Sequence, residues 1–168
     1  HEQAAVHAAE GYARVCGKAG VVLVTSGPGF TNTITGIANA YADSTPLVVL
    51  AGDVPSTNKS GKIFQNVNIE SIVGSCCKKV YTLKYNDDIA QVIKSAFQEA
   101  TSGVKGPVVV ALPRNILEAE YHERKISDNL QNSTIKDFSK EILTLSDLIK
   151  NAQKPLVMLG GGCINASE

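Results

Sequence analysis

Short apolar runs without polar interruption recur at long intervals along the chain, at residues 21–25, 47–51, 107–112 and 155–159. Runs of only about five residues with no polar alternation fit strands covered on both faces, as in a parallel sheet. Helix-spaced patterns lie between them. The clearest covers 86–102, where Ile89, Val92, Ile93, Ala96, Phe97 and Ala100 fall on a single stripe. Asn86 or Asp87 is placed to cap its start and Gly103 to end it. Residues 2–16 and 31–42 are alanine-rich and also read as helices. This alternation predicts an α/β fold, a parallel sheet flanked by helices with right-handed crossovers.

From 118 to 140 the composition turns polar, as expected of a segment leaving a domain. Beyond it a new helical stripe carries Ile142, Leu145, Leu148, Ile149 and Ala152, followed by the apolar run 155–159 and Gly160-Gly161-Gly162. The expected organisation is a first domain over 1–117, truncated at its start, a linker over 118–138, and the start of a second α/β domain over 139–168. The chain opens on His1 inside a helical pattern and stops at Glu168 soon after a strand-like run. It therefore reads as a piece of a longer protein. A small sheet beside a broken second domain is expected to expose apolar edges and to self-associate.

Composition narrows the function classes. The 168 residues are 43% hydrophobic and 19% charged, with sixteen basic and sixteen acidic side chains and no formal net charge. That balance offers no field to gather nucleic acid or anionic lipid. No apolar run approaches the ~20 residues that span a bilayer, and no basic-then-apolar leader opens the chain. Cys16, Cys76, Cys77 and Cys163 form no C-x-x-C pair and read as buried, reduced thiols, with a metal or redox site as the competing reading. Reduced thiols point to the cytoplasm.

Three places carry candidate chemistry. The stretch Val21-Val-Leu-Val-Thr-Ser-Gly-Pro-Gly-Phe-Thr-Asn32 joins a strand to a helix through Gly27-Pro28-Gly29. Glycines there let backbone approach a ligand, at the carboxyl end of a strand where open α/β sheets bind. A tight turn needing positive φ accounts for them equally well, and Thr31 or Asn32 could cap the helix that follows. The turn is not G-x-G-x-x-G, which disfavours a nicotinamide site. Glu2 opens an amphipathic helix, where a carboxylate gains from the helix dipole with no further role. Phe64-Gln65 follows the turn-rich segment 52–61, either a functional loop or a surface loop anchored by Phe64. Gly160–162 could approach a nucleotide or simply form a turn. His1, His7 and His122 show no metal spacing, and no G-x-S-x-G elbow is present.

Taken in order, these elements resemble the pyrimidine-binding domain of the acetolactate synthase group of thiamine-diphosphate enzymes. The blocks that carry the resemblance are His-Glu-Gln-Ala-Ala with Ala-Glu-Gly-Tyr-Ala-Arg at 1–14, and Gly-Val-Val-Leu-Val-Thr-Ser-Gly-Pro-Gly-Phe-Thr-Asn at 20–32. Others are Thr-Gly-Ile-Ala-Asn-Ala-Tyr at 35–41, Pro-Leu-Val-Val-Leu-Ala-Gly at 46–52, Phe-Gln at 64–65 and Gly-Pro-Val-Val-Val-Ala-Leu-Pro at 106–113. The resemblance runs over nearly the whole chain, and 139–162 is similar to the opening of the family's central domain.

The resemblance implies roles. Glu2 matches the glutamate that hydrogen-bonds a ring nitrogen of the cofactor's aminopyrimidine, helping the thiazolium carbon lose its proton. Pro28, Gly29 and Asn32 match the loop along the aminopyrimidine, and Gln65 a glutamine near cofactor and substrate. The implied reaction condenses pyruvate, after decarboxylation, with a second 2-keto acid. The family binds the diphosphate through Mg²⁺ at a Gly-Asp-Gly motif with a later Asn, on a separate domain contributed by a second subunit. Gly52-Asp53-Val54 does not match that motif, so this chain is expected to hold half a site and to be inactive alone. Many family members carry FAD, which the resemblance admits here.

The sequence also departs from the pattern. Ser60-Gly61-Lys62-Ile63 stand before Phe64-Gln65 where the family has Gly-Thr-Asp-Ala. Asn66 follows where it has Glu, and Gly74-Ser75-Cys76-Cys77-Lys78 replaces a segment with a basic residue and Pro. A related thiamine-diphosphate decarboxylase or lyase for another 2-keto acid, and a non-catalytic binding module, are the alternatives.

Overall fold

In the computed structural model, residues 1–58, 62–120 and 137–163 are described. The chain divides into two compact units, His1–Ile126 and Ser127–Glu168.

The first unit alternates helix and strand. Helix α1 (Glu2–Cys16) leads into β1 (Gly20–Val24), a short α2 (Pro28–Thr31) and α3 (Ile34–Ala42), then β2 (Leu47–Asp53). The one-turn α4 (Ile69–Val73), β3 (Lys79–Thr82), α5 (Ile89–Thr101), β4 (Pro107–Pro113) and α6 (Arg114–Leu117) follow. The four strands form one sheet in the order β1-β2-β4-β3, every pair parallel. The expected parallel α/β fold is what the chain adopts.

Period-two alternation sorts each strand between two apolar layers. Val22, Val24, Val49, Ala51, Val109 and Ala111 face α1 and α3, together with Val6, Phe30 and Ile37. Val48, Val108, Val110 and Leu112 face α5, whose Ala96 and Ala100 are fully buried. Central strands β2 and β4 are thus covered on both sides. The same expectation fails for β1, an edge strand whose Val21 and Leu23 are 50% and 71% exposed. Its far face lies beyond the reach of α5, which packs on β2, β3 and β4.

Local chemistry corrects several boundaries. The helix expected over 31–42 is two pieces: Asn32 ends α2, and Thr33 precedes α3 with its hydroxyl donating to Phe30 O at 2.6 Å. Neither Thr31 nor Asn32 caps α3 through its side chain. Asp88, not Asn86 or Asp87, caps α5 by accepting from Gln91 N at 3.2 Å. Asp87 instead closes the preceding turn, accepting from Lys84 N at 2.8 Å. Gly103, at φ +53, follows α5 as expected.

In the second unit the expected helix is α7 (Ser139–Asn151), whose Ile142, Leu145, Leu148 and Ile149 are exposed. The expected strand at 155–159 is not formed: the segment pairs with nothing among the described residues, and Leu156 and Met158 are 89% and 88% exposed. A strand exists only with a neighbour to satisfy its backbone groups. Gly161–Cys163 is a short 3₁₀ turn. Most of the expected 118–138 linker, with His122, lies outside the described residues. No described helix is long and apolar enough to cross a membrane.

The cysteines separate into two kinds. Cys77 is buried in the α1–α3 layer, whereas Cys16 and Cys163 are exposed, so the expectation of buried thiols does not hold for those two. Burial, with Cys76 beside it, pushes the Cys77 thiol up to about 11. A thiol at that value is ionised to roughly one part in a thousand at pH 8. In folded protein at pH 8, iodoacetamide is expected to modify Cys16 at least ~100-fold faster than Cys77. Peptide mass mapping against time reads this, and equal rates would mean that the layer around Cys77 opens freely.

Candidate functional site

The residues singled out in the sequence lie at the carboxyl ends of β1 and β2. After Val24 the chain turns at Thr25-Ser26-Gly27 and enters α2 with Pro28 in its first turn. Gly27 has φ +58 and ψ −116, a conformation that L side chains avoid. Beneath the turn runs Gly52 of β2, where an added Cβ would stand 3.1 Å from Ser26 N. Glycine at 52 therefore lets the two strand ends close up.

On one side of this turn stands Glu2, delivered by the first turn of α1. Asn32 Nδ2 donates to Glu2 Oε2 at 3.1 Å across thirty positions of sequence. A Cβ at Gly29 would lie 3.7 Å from Glu2 Oε1 and 2.5 Å from Thr25 Cγ2, so glycine keeps the space beside the carboxylate open. Glu2's own backbone N–H, with the Asn32 amide, holds its carboxyl below the usual range. The carboxylate is partly exposed, ionised at neutral pH and hydrogen-bonded through Oε2 to Asn32.

On the other side stands Gln65, at φ +59 although it is not glycine. Its backbone packs directly on Gly27, where a Cβ would come within 2.8 Å of Gln65 Cα, Cβ and O. Ser26 Oγ donates to Gln65 Oε1 at 3.3 Å. A non-glycine residue held in the left-handed region costs free energy; among the described residues Ser44, after α3, is the other of this kind.

Glu2 and Asn32 are thus in contact beside the open space at Gly29, Pro28 starts the short helix that carries Gly29, and Gln65 packs against the same turn. The sequence reading missed Ser26, which bridges to Gln65; its place beside Gly27-Pro28-Gly29 was the available signal. Phe64 is 87% exposed and anchors nothing among the described residues. Ser60 and Gly61 lie outside them. Among the described residues no three His, Cys, Asp or Glu side chains converge as a metal site.

Residues 1–72 match the family model described as thiamine pyrophosphate enzyme, N-terminal TPP binding domain. The chain is 45% identical to the acetolactate synthase isozyme 3 large subunit of Escherichia coli, over 99% of this chain and 30% of that protein. It is 43% identical to the acetolactate synthase large subunit of Buchnera aphidicola subsp. Acyrthosiphon pisum, over 100% of this chain and 30% of the relative. With the mitochondrial acetolactate synthase catalytic subunit of Saccharomyces cerevisiae it shares 39% identity, over 100% of this chain and 26% of the relative. The chain therefore spans about 30% of the length of the bacterial relatives it matches. Along nearly its whole length the chain is thus similar to a segment of the acetolactate synthase large subunits, and its residues 1–72 match the N-terminal binding domain of the thiamine pyrophosphate enzymes.

Proposed function

We propose that the chain supplies the pyrimidine half of a thiamine-diphosphate site in an acetolactate synthase-like carboligase. The observation that carries this reading is the Glu2–Asn32 pair standing beside the bare backbone of Gly29. A flat nitrogen heterocycle needs an acid–base group at its edge, a face of backbone without side chains, and room between them. Glu2 with Asn32 offers the first and Gly29 the second, so the residues fit the group.

When bound, thiamine diphosphate supplies a carbanion centre that accepts and releases 2-keto acid carbons. This chain's own work is narrower. Glu2 would hold and share a proton at a ring nitrogen of the pyrimidine, Asn32 orients the Glu2 carboxylate, and Gly27-Pro28-Gly29 would offer its backbone to the ring. A ring bound over Glu2 would exclude water from the carboxylate and raise its affinity for a proton. Gln65, fixed by Ser26 and Gly27, borders the substrate side. Mg²⁺ and the diphosphate are held by residues outside this chain, on a second subunit of the same enzyme, and FAD belongs to the full protein if it is used. The substrates are pyruvate and a second 2-keto acid, and the compartment is cytoplasmic. The proposed organisation is a pyrimidine-binding domain over 1–117, a linker over 118–138, and the opening of a central domain from 139.

The test is replacement. The corresponding segment of the Escherichia coli isozyme 3 large subunit is exchanged for this chain, and the product is assayed with pyruvate, thiamine diphosphate and Mg²⁺. Acetolactate is expected. A folded, assembled exchange protein that releases acetaldehyde or nothing would refute the carboligase reading. Calorimetry of the 168-residue chain with thiamine diphosphate is expected to show no binding tighter than about 1 mM, roughly −4 kcal/mol; micromolar binding would refute the half-site.

A further inference from the structure

Along α1, Glu2, Val6, Glu10 and Arg14 recur at every fourth position, a spacing that aligns side chains on one helix face. Each meets a residue of the α2–α3 stretch, in the same order. Glu2 accepts from Asn32, Val6 packs on Gly36, Glu10 accepts from Asn39, and Arg14 pairs with Asp43. Both series ascend together, so the two segments run parallel as a seam of four rungs.

Two rungs share one chemistry, a glutamate accepting from an asparagine amide, at 3.1 Å for Glu2 and 2.8 Å for Glu10. Between them the backbones approach closely: a Cβ at Gly36 would stand 2.5 Å from Val6 Cγ1. The Glu10 rung is the firm one. Glu10 is 5% exposed and also accepts from Arg14 Nη2 at 2.7 Å, with His7 Nδ1 at 3.3 Å. Burial works against its charge, but Arg14, Asn39 and His7 outweigh it and keep the carboxyl below its usual range. A buried carboxylate surrounded by donors tolerates little displacement, because each lost donor leaves charge unpaired. A helix is stiff over two turns, so whatever fixes α1 at Glu10 also fixes it at Glu2.

We propose that Glu10 is a positioning residue for Glu2, holding α1 through Asn39 so that the Glu2 carboxylate stays in register with Asn32. The proposal rests on the reading of Glu2 as proton partner and deepens it. His7, Arg14 and Asp43, all about half exposed, trim the charge around Glu10, while the Asn39 bond sets the register.

The experiment follows the Glu2 carboxyl titration by ¹³C NMR in the 168-residue chain with labelled glutamates. Asn32→Ala gives the full upward shift that follows loss of the donor. Glu10→Ala is expected to reproduce about half of that shift or more. Glu10→Gln, whose amide oxygen still accepts from Asn39, is expected to leave Glu2 unmoved. A folded Glu10→Ala protein in which Glu2 titrates as before overturns the proposal. Should Glu10→Ala fail to fold, Asn39→Ala keeps the Arg14 pair and carries the same expectation and the same refutation. Undiminished thiamine-dependent turnover in a Glu2→Gln exchange protein would refute the proton-partner reading separately, whatever the titrations show.

Discussion

Glu2→Gln, placed in a polypeptide with the complete site, is expected to lower thiamine-dependent turnover by about 10²–10⁴-fold, the usual worth of one positioned acid–base group. The substitution keeps the shape of the side chain and an oxygen for Asn32 Nδ2, so the first turn of α1 has no steric reason to move. What it removes is the capacity to take up and return a proton. In the open site Glu2 is ionised, held low by its own backbone N–H and by Asn32. Its proton affinity rises only when a ring covers it, so the loss should fall on turnover more than on cofactor affinity. Steady-state rates at saturating thiamine diphosphate separate the two. A rate within about threefold of the unaltered protein would remove Glu2 from the chemistry.

Gly27→Ala is expected to lower stability by roughly 2–6 kcal/mol. Two effects add. A Cβ-bearing residue at φ +58 and ψ −116 carries backbone strain of about 1–3 kcal/mol. The new methyl group would also stand 2.8 Å from Gln65 Cα, Cβ and O, an overpacking worth about another 1–3 kcal/mol. Urea unfolding should show a lower midpoint with an unchanged slope. Adding Gln65→Gly should return part of the loss, because glycine accepts φ +59 without strain and removes one of the clashing atoms. A loss under about 1 kcal/mol would show that the turn relaxes around the methyl group.

The two central strands were legible because burial on both faces leaves an unbroken apolar run, as in 47–51 and 107–112. Strand β3 was not: Lys-Val-Tyr-Thr is a four-residue, half-buried edge strand with no unbroken apolar run to mark it. The run 155–159 misled for the converse reason, since apolarity is a local property and pairing is not. Within the site, the family pattern pointed to Glu2, Pro28, Gly29, Asn32 and Gln65, while only the fold shows that Glu2 and Asn32 touch. The positive φ of Gln65 has no signature in its residue type and follows from its packing on Gly27. The fourfold spacing of Glu2, Val6, Glu10 and Arg14 was present in the sequence, but a stripe on a helix does not name the residues opposite it.

The strand order has a kinetic consequence. Leu47 pairs with Pro107, so the central ladder closes only after β3 and α5 have been looped out between them. Loop-closure entropy must be overcome before any of that pairing is rewarded. Helices α1 and α5 are local and can form within about a microsecond, yet they have no sheet to dock on until β2 and β4 meet. Refolding of the first unit should accordingly proceed on a millisecond-to-second scale. Substitutions that weaken the β2–β4 contact, Val49 and Val109 foremost, should slow refolding, whereas those in the α1–α3 seam should mainly hasten unfolding.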